Sequence, residues 1–244
     1  MNNVTRPYRL LLAALAASAS LAPCARAQMH VDGAPAAALD WRDVAGGSAR
    51  VLYFGDVHSS VAIKRVLAGA MLDFARAGAG VLAVQMLRAS DQPLLDRYGL
   101  DPAARRRVGE RIGKSWQAPA EEYLKLLDAA HAAGLSLYAL TPDPAPGGDD
   151  DARMAAALAA LSRRPGGGKV VVFVGVDEAK RAAQPSRLLE DGTASRTYAF
   201  AESGDGAAKK LYTAGLEDGL WLLPGGADFD GLISAPAVLK EAAR

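Results

Sequence analysis

Short apolar runs alternate along this chain with longer stretches whose apolar positions recur at helical spacing. Residues 50–54 form one such run, closed by Gly55, as a buried strand would be. From residue 60 to 76 the apolar positions Val61, Ile63, Val66, Leu67, Met71, Leu72 and Phe74 follow a helical period, and Ser59 or Ser60 is placed to cap it. The order then repeats. Residues 80–84 read as a second strand, 91–111 and 119–133 as helical segments, and 135–140 as a third strand. A loop rich in Pro, Gly and Asp covers 141–151, a helix covers 152–163, and the valine-rich run 169–174 is the strongest strand signal in the protein.

Apolar strands alternating with amphipathic helices predict an α/β fold: a mainly parallel sheet covered by helices on both faces. The last third differs. Residues 196–200, 209–212 and 220–223 are short strand candidates without clear helices between them, so the sheet is expected to end in an antiparallel C-terminal edge.

Residues 1–27 read as a targeting segment, with Arg6 and Arg9 before a short apolar stretch and Ala25-Arg26-Ala27 as small-residue cleavage context. Cleavage before Gln28 would leave one domain, 28–244, exported to the periplasm or cell envelope. The alternative is a lipid on Cys24 and a membrane tether, which Pro23 disfavours. Cys24 is the single cysteine, so the expected mature domain has no disulfide and rests on its apolar core. Without the leader's three arginines the balance is 25 basic against 27 acidic residues. No basic stripe suggests nucleic acid as a partner.

Ligands of open parallel sheets bind beyond the carboxyl ends of the strands. That rule selects Asp56 and His58 after the first strand, Gln85 at the end of the second, and Glu178 after Gly175 in the fourth. His58 can transfer protons or ligate a metal or haem iron, with Asp56 fixing its tautomer; the pair can equally cap the following helix. Glu178 can act as a base or simply open a helix, where acids are favoured. Gln85 needs hydrogen-bond partners wherever it lies. One histidine at the rim and no cysteine argue against a zinc site. His131 reads as a solvated residue near a helix end, and His30 as part of a ragged N-terminus. GxSxG, GxGxxG and P-loop motifs are absent. For an axial haem ligand, Tyr98, Tyr123 and Tyr138 join His58 as candidates.

Residues 51–58 (VLYFGDVH), 85–98 (QMLRASDQPLLDRY), Trp116 with Tyr123, and 134–140 (GLSLYAL) together resemble the ChaN family of haem-binding, iron-regulated lipoproteins, relatives of the erythromycin esterase-like and TraB/Tiki proteins. The resemblance runs from about residue 40 to 188, with a weaker echo at 228–233. Where the family has GExH, this chain has Gly55-Asp56-Val57-His58. A second family histidine falls at Lys64, the family glutamate at Gln85, and the second GxxH at 175–178, where Glu178 replaces the histidine. The resemblance implies a haem or related tetrapyrrole in the strand-end crevice, shared between the two protomers of a homodimer, with His58, Tyr98 or Tyr123 as axial ligand. Lys64, Arg88 or Arg97 would then meet the propionates. Because most catalytic positions of the relatives are substituted, a small-molecule ligand is expected rather than turnover. The alternatives are a hydrolase or metal-dependent protease using Asp56, His58 and Glu178, and a non-catalytic envelope interaction domain.

Overall fold

The computed structural model describes residues 28–31, 34–116, 119–166, 168–181, 183, 188, 192–201, 219–235 and 238. The expected leader, Cys24 and the strand expected at 209–212 lie outside the described residues.

Two strands, β1 (Gln28–Val31) and β2 (Ala34–Ala38), precede a short helix α1 (Trp41–Ala45) that Asp40 caps through the Arg42 N–H. The chain continues through β3 (Val51–Asp56), α2 (Val61–Arg76) and β4 (Ala79–Arg88), then α3 (Gln92–Leu95), α4 (Pro102–Trp116) and α5 (Ala120–Ala132). Next come β5 (Ser136–Thr141), α6 (Asp150–Ser162), β6 (Lys169–Gly175), α7 (Val176–Ala179), β7 (Ser195–Phe200), β8 (Trp221–Pro224) and β9 (Gly231–Ser234). The nine strands among the described residues form one sheet in the order β1-β2-β8-β9-β7-β3-β6-β4-β5.

From β9 to β5 the neighbours are parallel; β8, β2 and β1 extend the sheet antiparallel. The expected mainly parallel sheet with an antiparallel edge is therefore present. Three details differ from the sequence reading. Residues 195–200 pair parallel with β3, so the antiparallel part begins only at β8. Strand β9 was not anticipated. His30, expected in a ragged segment, lies in β1, whose backbone pairs with β2.

Every residue of β3 is buried, as befits a strand flanked by β6 and β7 and covered on both faces. Side-chain alternation divides its contacts. Leu52 and Phe54 join a core with α1 to α5, whereas Val51 and Tyr53 join a second core with α6 and α7. Right-handed crossovers account for this division. The steps from β3 through β4 to β5 cross the sheet in one direction and lay α2 and α5 on one face. The return to β6 runs the other way and lays α6 on the opposite face.

Candidate functional site

The sheet order β3-β6-β4 puts three strand ends side by side, with Asp56 registered against Gly175. Asp56 shares the parity of Leu52 and Phe54, so its side chain emerges on the face covered by α2 and α5. Both helices send a side chain to it. From α2, Lys64 Nζ donates to Asp56 Oδ1 at 2.6 Å, and from α5 the Tyr123 hydroxyl donates to Asp56 Oδ2. The His58 ring completes the group, with Nδ1 3.1 Å from Asp56 Oδ2 and 3.4 Å from the Tyr123 hydroxyl.

Lys64 has no exposed surface. Besides Asp56 it donates to the backbone carbonyls of Val57, at 2.9 Å, and His58, at 3.0 Å, so an ammonium with three donors meets three acceptors. The same side chain neutralises Asp56 and pins the turn that carries His58. Its position over the Tyr123 ring, 4.7 Å from the centroid, adds a cation–π contact. Ser60 caps α2 through the Ile63 N–H and thereby starts the helix where Lys64 can reach back.

The donor pattern assigns protons. Tyr123 gives its hydrogen to Asp56, so the phenol oxygen and Asp56 Oδ2 both present lone pairs to His58 Nδ1. Nδ1 therefore carries the hydrogen, and the imidazole lone pair of the neutral ring sits on Nε2. Burial, the charge of Asp56 and the hydrogen bond to it all hold the Tyr123 phenol far above its ordinary range, so it stays protonated.

The other rim residues form a neighbouring group. Gln85 Oε1 accepts the Gly175 N–H at 2.7 Å, which fixes the orientation of its amide. The Gln85 backbone carbonyl accepts from the Thr141 hydroxyl, which joins β5 to the same rim. Glu178, in the short α7, folds its carboxylate over Gly175 into the space a Cβ would fill. No hydrogen bond of Asp56 or His58 to Gln85 or Glu178 is observed; the two groups meet through the Asp56–Gly175 register of β3 and β6.

Several sequence candidates lie elsewhere. Lys64 is enclosed and directed at Asp56, so it is not placed at a surface where a propionate would meet it. The Tyr98 hydroxyl donates to Asp128 Oδ1 at 2.9 Å and the Leu124 carbonyl at 3.2 Å, inside the packing of α4 and α5; burial first, then Asp128, pushes its phenol upward as well. Tyr138 packs against the α6-side core. Arg97 is exposed and donates to the Pro93 carbonyl, whereas Arg88 is exposed at the end of β4. Sequence reasoning missed the joint role of Lys64 and Tyr123. A helical lysine eight residues after an acid-bearing strand end was the available signal.

An open cavity of about 490 Å³ lies at the same end of the sheet, on the other side of β3. Gly55, Val57, Val176, Phe200 and Leu232 line it, together with the 225–229 loop. His58 is one residue from this lining and is not part of it; its side chain is 38% exposed. Among the described residues, no group of three His, Cys, Asp or Glu side chains could hold a metal ion.

Fold and rim together define an open, mostly parallel α/β protein with a polar site at its strand ends. Residues 45–145 match the family model described as haem-binding uptake, Tiki superfamily, ChaN, so this segment of the chain is ChaN-like. The solved structure of the type III effector HopBA1 is similar with a TM-score of 0.57 and 17% identity, over 76% of this chain and 86% of that one. That likeness shows a common fold. ChaN of Campylobacter jejuni, described with cofacial haem, gives a TM-score of 0.48 and 10% identity over 76% of this chain and 87% of that one. RRSP, a MARTX toxin effector domain from Vibrio vulnificus, gives 0.40 and 24% over 54% of this chain and 28% of that one. No curated protein matches the chain.

Proposed function

We propose that this protein binds haem or a related tetrapyrrole at the strand-end rim, with His58 Nε2 as axial ligand, and serves haem or iron handling in the periplasm or cell envelope. The observation that carries the reading is a single, partly exposed imidazole whose Nδ1 faces a buried carboxylate. A bare metal ion needs several protein ligands, whereas a tetrapyrrole brings four nitrogens and asks the protein for one. A carboxylate behind the ring fixes its tautomer and orientation, as second partners of metal-bound histidines do.

The residues fit such a group. Val57, next to His58 in the chain, lines the neighbouring cavity with Val176, Phe200 and Leu232, and exposed Arg88 offers a cation for a propionate. Tyr98 and Tyr123 are held protonated, which disfavours both as phenolate ligands. Bound haem would supply the iron; the chain supplies one nitrogen, the walls and the cation. The haem-binding description of the matched family supports the same ligand class.

Titration of the purified protein with haemin should give a saturable Soret shift that His58→Ala abolishes and Tyr98→Phe leaves in place. A Soret response unchanged by His58→Ala would remove the axial assignment, and no response at all would remove haem. Haemin stoichiometry read beside protomer mass tests whether two copies share the ligand. Intact mass of the exported protein tests the leader: a chain beginning at Gln28 is expected, and a lipid on Cys24 would replace it.

The Asp56–His58 pairing also favours a second reading, hydrolysis of an ester or amide by a water that His58 activates. Turnover in an ester and peptide screen, lost in His58→Ala, would establish it.

A further inference from the structure

The opposite end of the sheet carries a feature that the strand-end rim does not use. Arg42, Arg76 and Lys169 line an open cavity of about 620 Å³ with the backbone of Gly46 and Gly47, and no carboxylate belongs to the lining. Asp73 is shared between two of these cations, 3.5 Å from Arg42 Nε and 3.9 Å from Arg76 Nη1. Lys169 Nζ donates to the carbonyls of Gly47 and Ala49, each at 2.8 Å, so two of its protons go to neutral oxygens. Arg196 closes on the same loop. Its Nη2 lies 3.1 Å from where a Cβ on Gly47 would sit, at a φ of +74° that already favours glycine.

Helix ends explain only part of this charge. Arg50 donates to the Ser162 carbonyl at the end of α6, and Arg76 lies in the last turn of α2, where cations are favoured. Lys169 and Arg196 belong to strands, and Arg42 reaches the cavity from α1. Gathering like charges carries an electrostatic cost. Its sign is visible at Lys169, whose ammonium is held below the usual range by burial and by Arg50 and Arg196. A bound oxyanion would remove that cost and accept from guanidinium forks suited to it.

We propose that this cavity binds a phosphate group, free or carried on an anionic lipid headgroup, through Arg42, Arg76, Lys169 and Arg196. The site stands apart from His58 and does not depend on haem binding. Titrating ¹⁵N-labelled protein with inorganic pyrophosphate should shift the Gly46, Gly47 and Lys169 amides saturably. The Kd should rise at least tenfold in Arg42→Gln/Arg76→Gln, whose side chains are more than half exposed, and in Lys169→Met. Haemin binding by the double variant should be unchanged, which separates failure here from failure at the rim. Co-sedimentation with phosphatidylglycerol vesicles but not phosphatidylcholine vesicles, lost in the same variants, would assign the phosphate to a headgroup; pyrophosphate binding without co-sedimentation would assign it to a free ligand. Amide shifts that do not saturate, or that persist equally in both variants, would overturn the site.

Discussion

At the scale of single residues, the cluster around Asp56 is held by charge compensation. Lys64 and Asp56 are both buried, and such a pair is retained only when its geometry satisfies every donor and acceptor. Lys64→Met removes one partner and leaves a carboxylate and two turn carbonyls short of a donor. It should cost about 3–5 kcal/mol in urea denaturation. A loss below about 1 kcal/mol would mean that Asp56 has another counter-charge. Glu122 gives a pH-dependent prediction one residue from Tyr123. Arg65, from α2, holds it with two hydrogen bonds of 2.8 and 2.9 Å, and Lys125 adds one of 2.9 Å. These bonds, Arg65's first, lower its carboxyl from 4.5 to about 2. A lowered folded-state pKa means the stabilisation is complete above the unfolded value and is lost as pH falls toward 2. Because Arg65 and Lys125 are more than half exposed, the effect should be about 1 kcal/mol. Stability measured from pH 5 downward should fall less steeply in Glu122→Gln, and parallel curves would refute the assignment.

At the scale of elements, the two edges of the sheet are managed differently. Among the described residues, the β1 side ends in the antiparallel β1–β2 pair, and the far side ends in β5, which pairs only with β4. Gln92, at the start of α3, covers part of that edge with its side chain. Its Nε2 donates to the Leu137 carbonyl at 3.0 Å while its Oε1 accepts the Ala139 N–H at 2.8 Å, the pair of bonds a neighbouring strand would make. An uncovered edge invites pairing with another chain. Gln92→Ala should cost about 1–2 kcal/mol and speed amide exchange at Ala139. Protection at Ala139 equal to wild type would show that the edge is covered by something else. The same logic explains why 91–111, expected as a helical segment, is a short helix, a turn and a longer helix. Gln92 has to face β5, whereas Val108 and Ile112 of α4 must enter the core beneath α5.

For the whole molecule, parallel winding sends the carboxyl ends of β3 to β7 and β9 to one rim and those of the crossover helices α2, α5 and α6 to the other. The first rim gathers Asp56, His58, Gln85 and Glu178, and the second gathers the cations around Lys169. No helix among the described residues is long and apolar enough to cross a membrane. Ligand binding at the first rim should appear as stability of the whole fold. Haemin at a hundred times its Kd should add about 2.7 kcal/mol to unfolding, with no gain in His58→Ala. A melting curve unmoved by saturating haemin would contradict binding to the native state.

The sequence by itself determined the periodicities, and with them the strands β3 to β6, the helices that cover them, and the positions Asp56, His58, Gln85 and Glu178 at strand ends. Those signals are local: burial on both faces makes a continuous apolar run, and burial on one face makes a helical stripe. Only the tertiary structure decided that β6 lies between β3 and β4. That placement sets Gly175 beside Asp56 and gives Gln85 its backbone partner. The alliance of Lys64 with Tyr123 was equally hidden, because their meeting depends on α2 and α5 packing together on one face of the sheet. A lysine in a helix reads as a solvated charge until a buried carboxylate 2.6 Å away shows otherwise. Strand β9 and the β1–β2 pair escaped for the same reason, since short edge strands owe their pairing to neighbours distant in the chain.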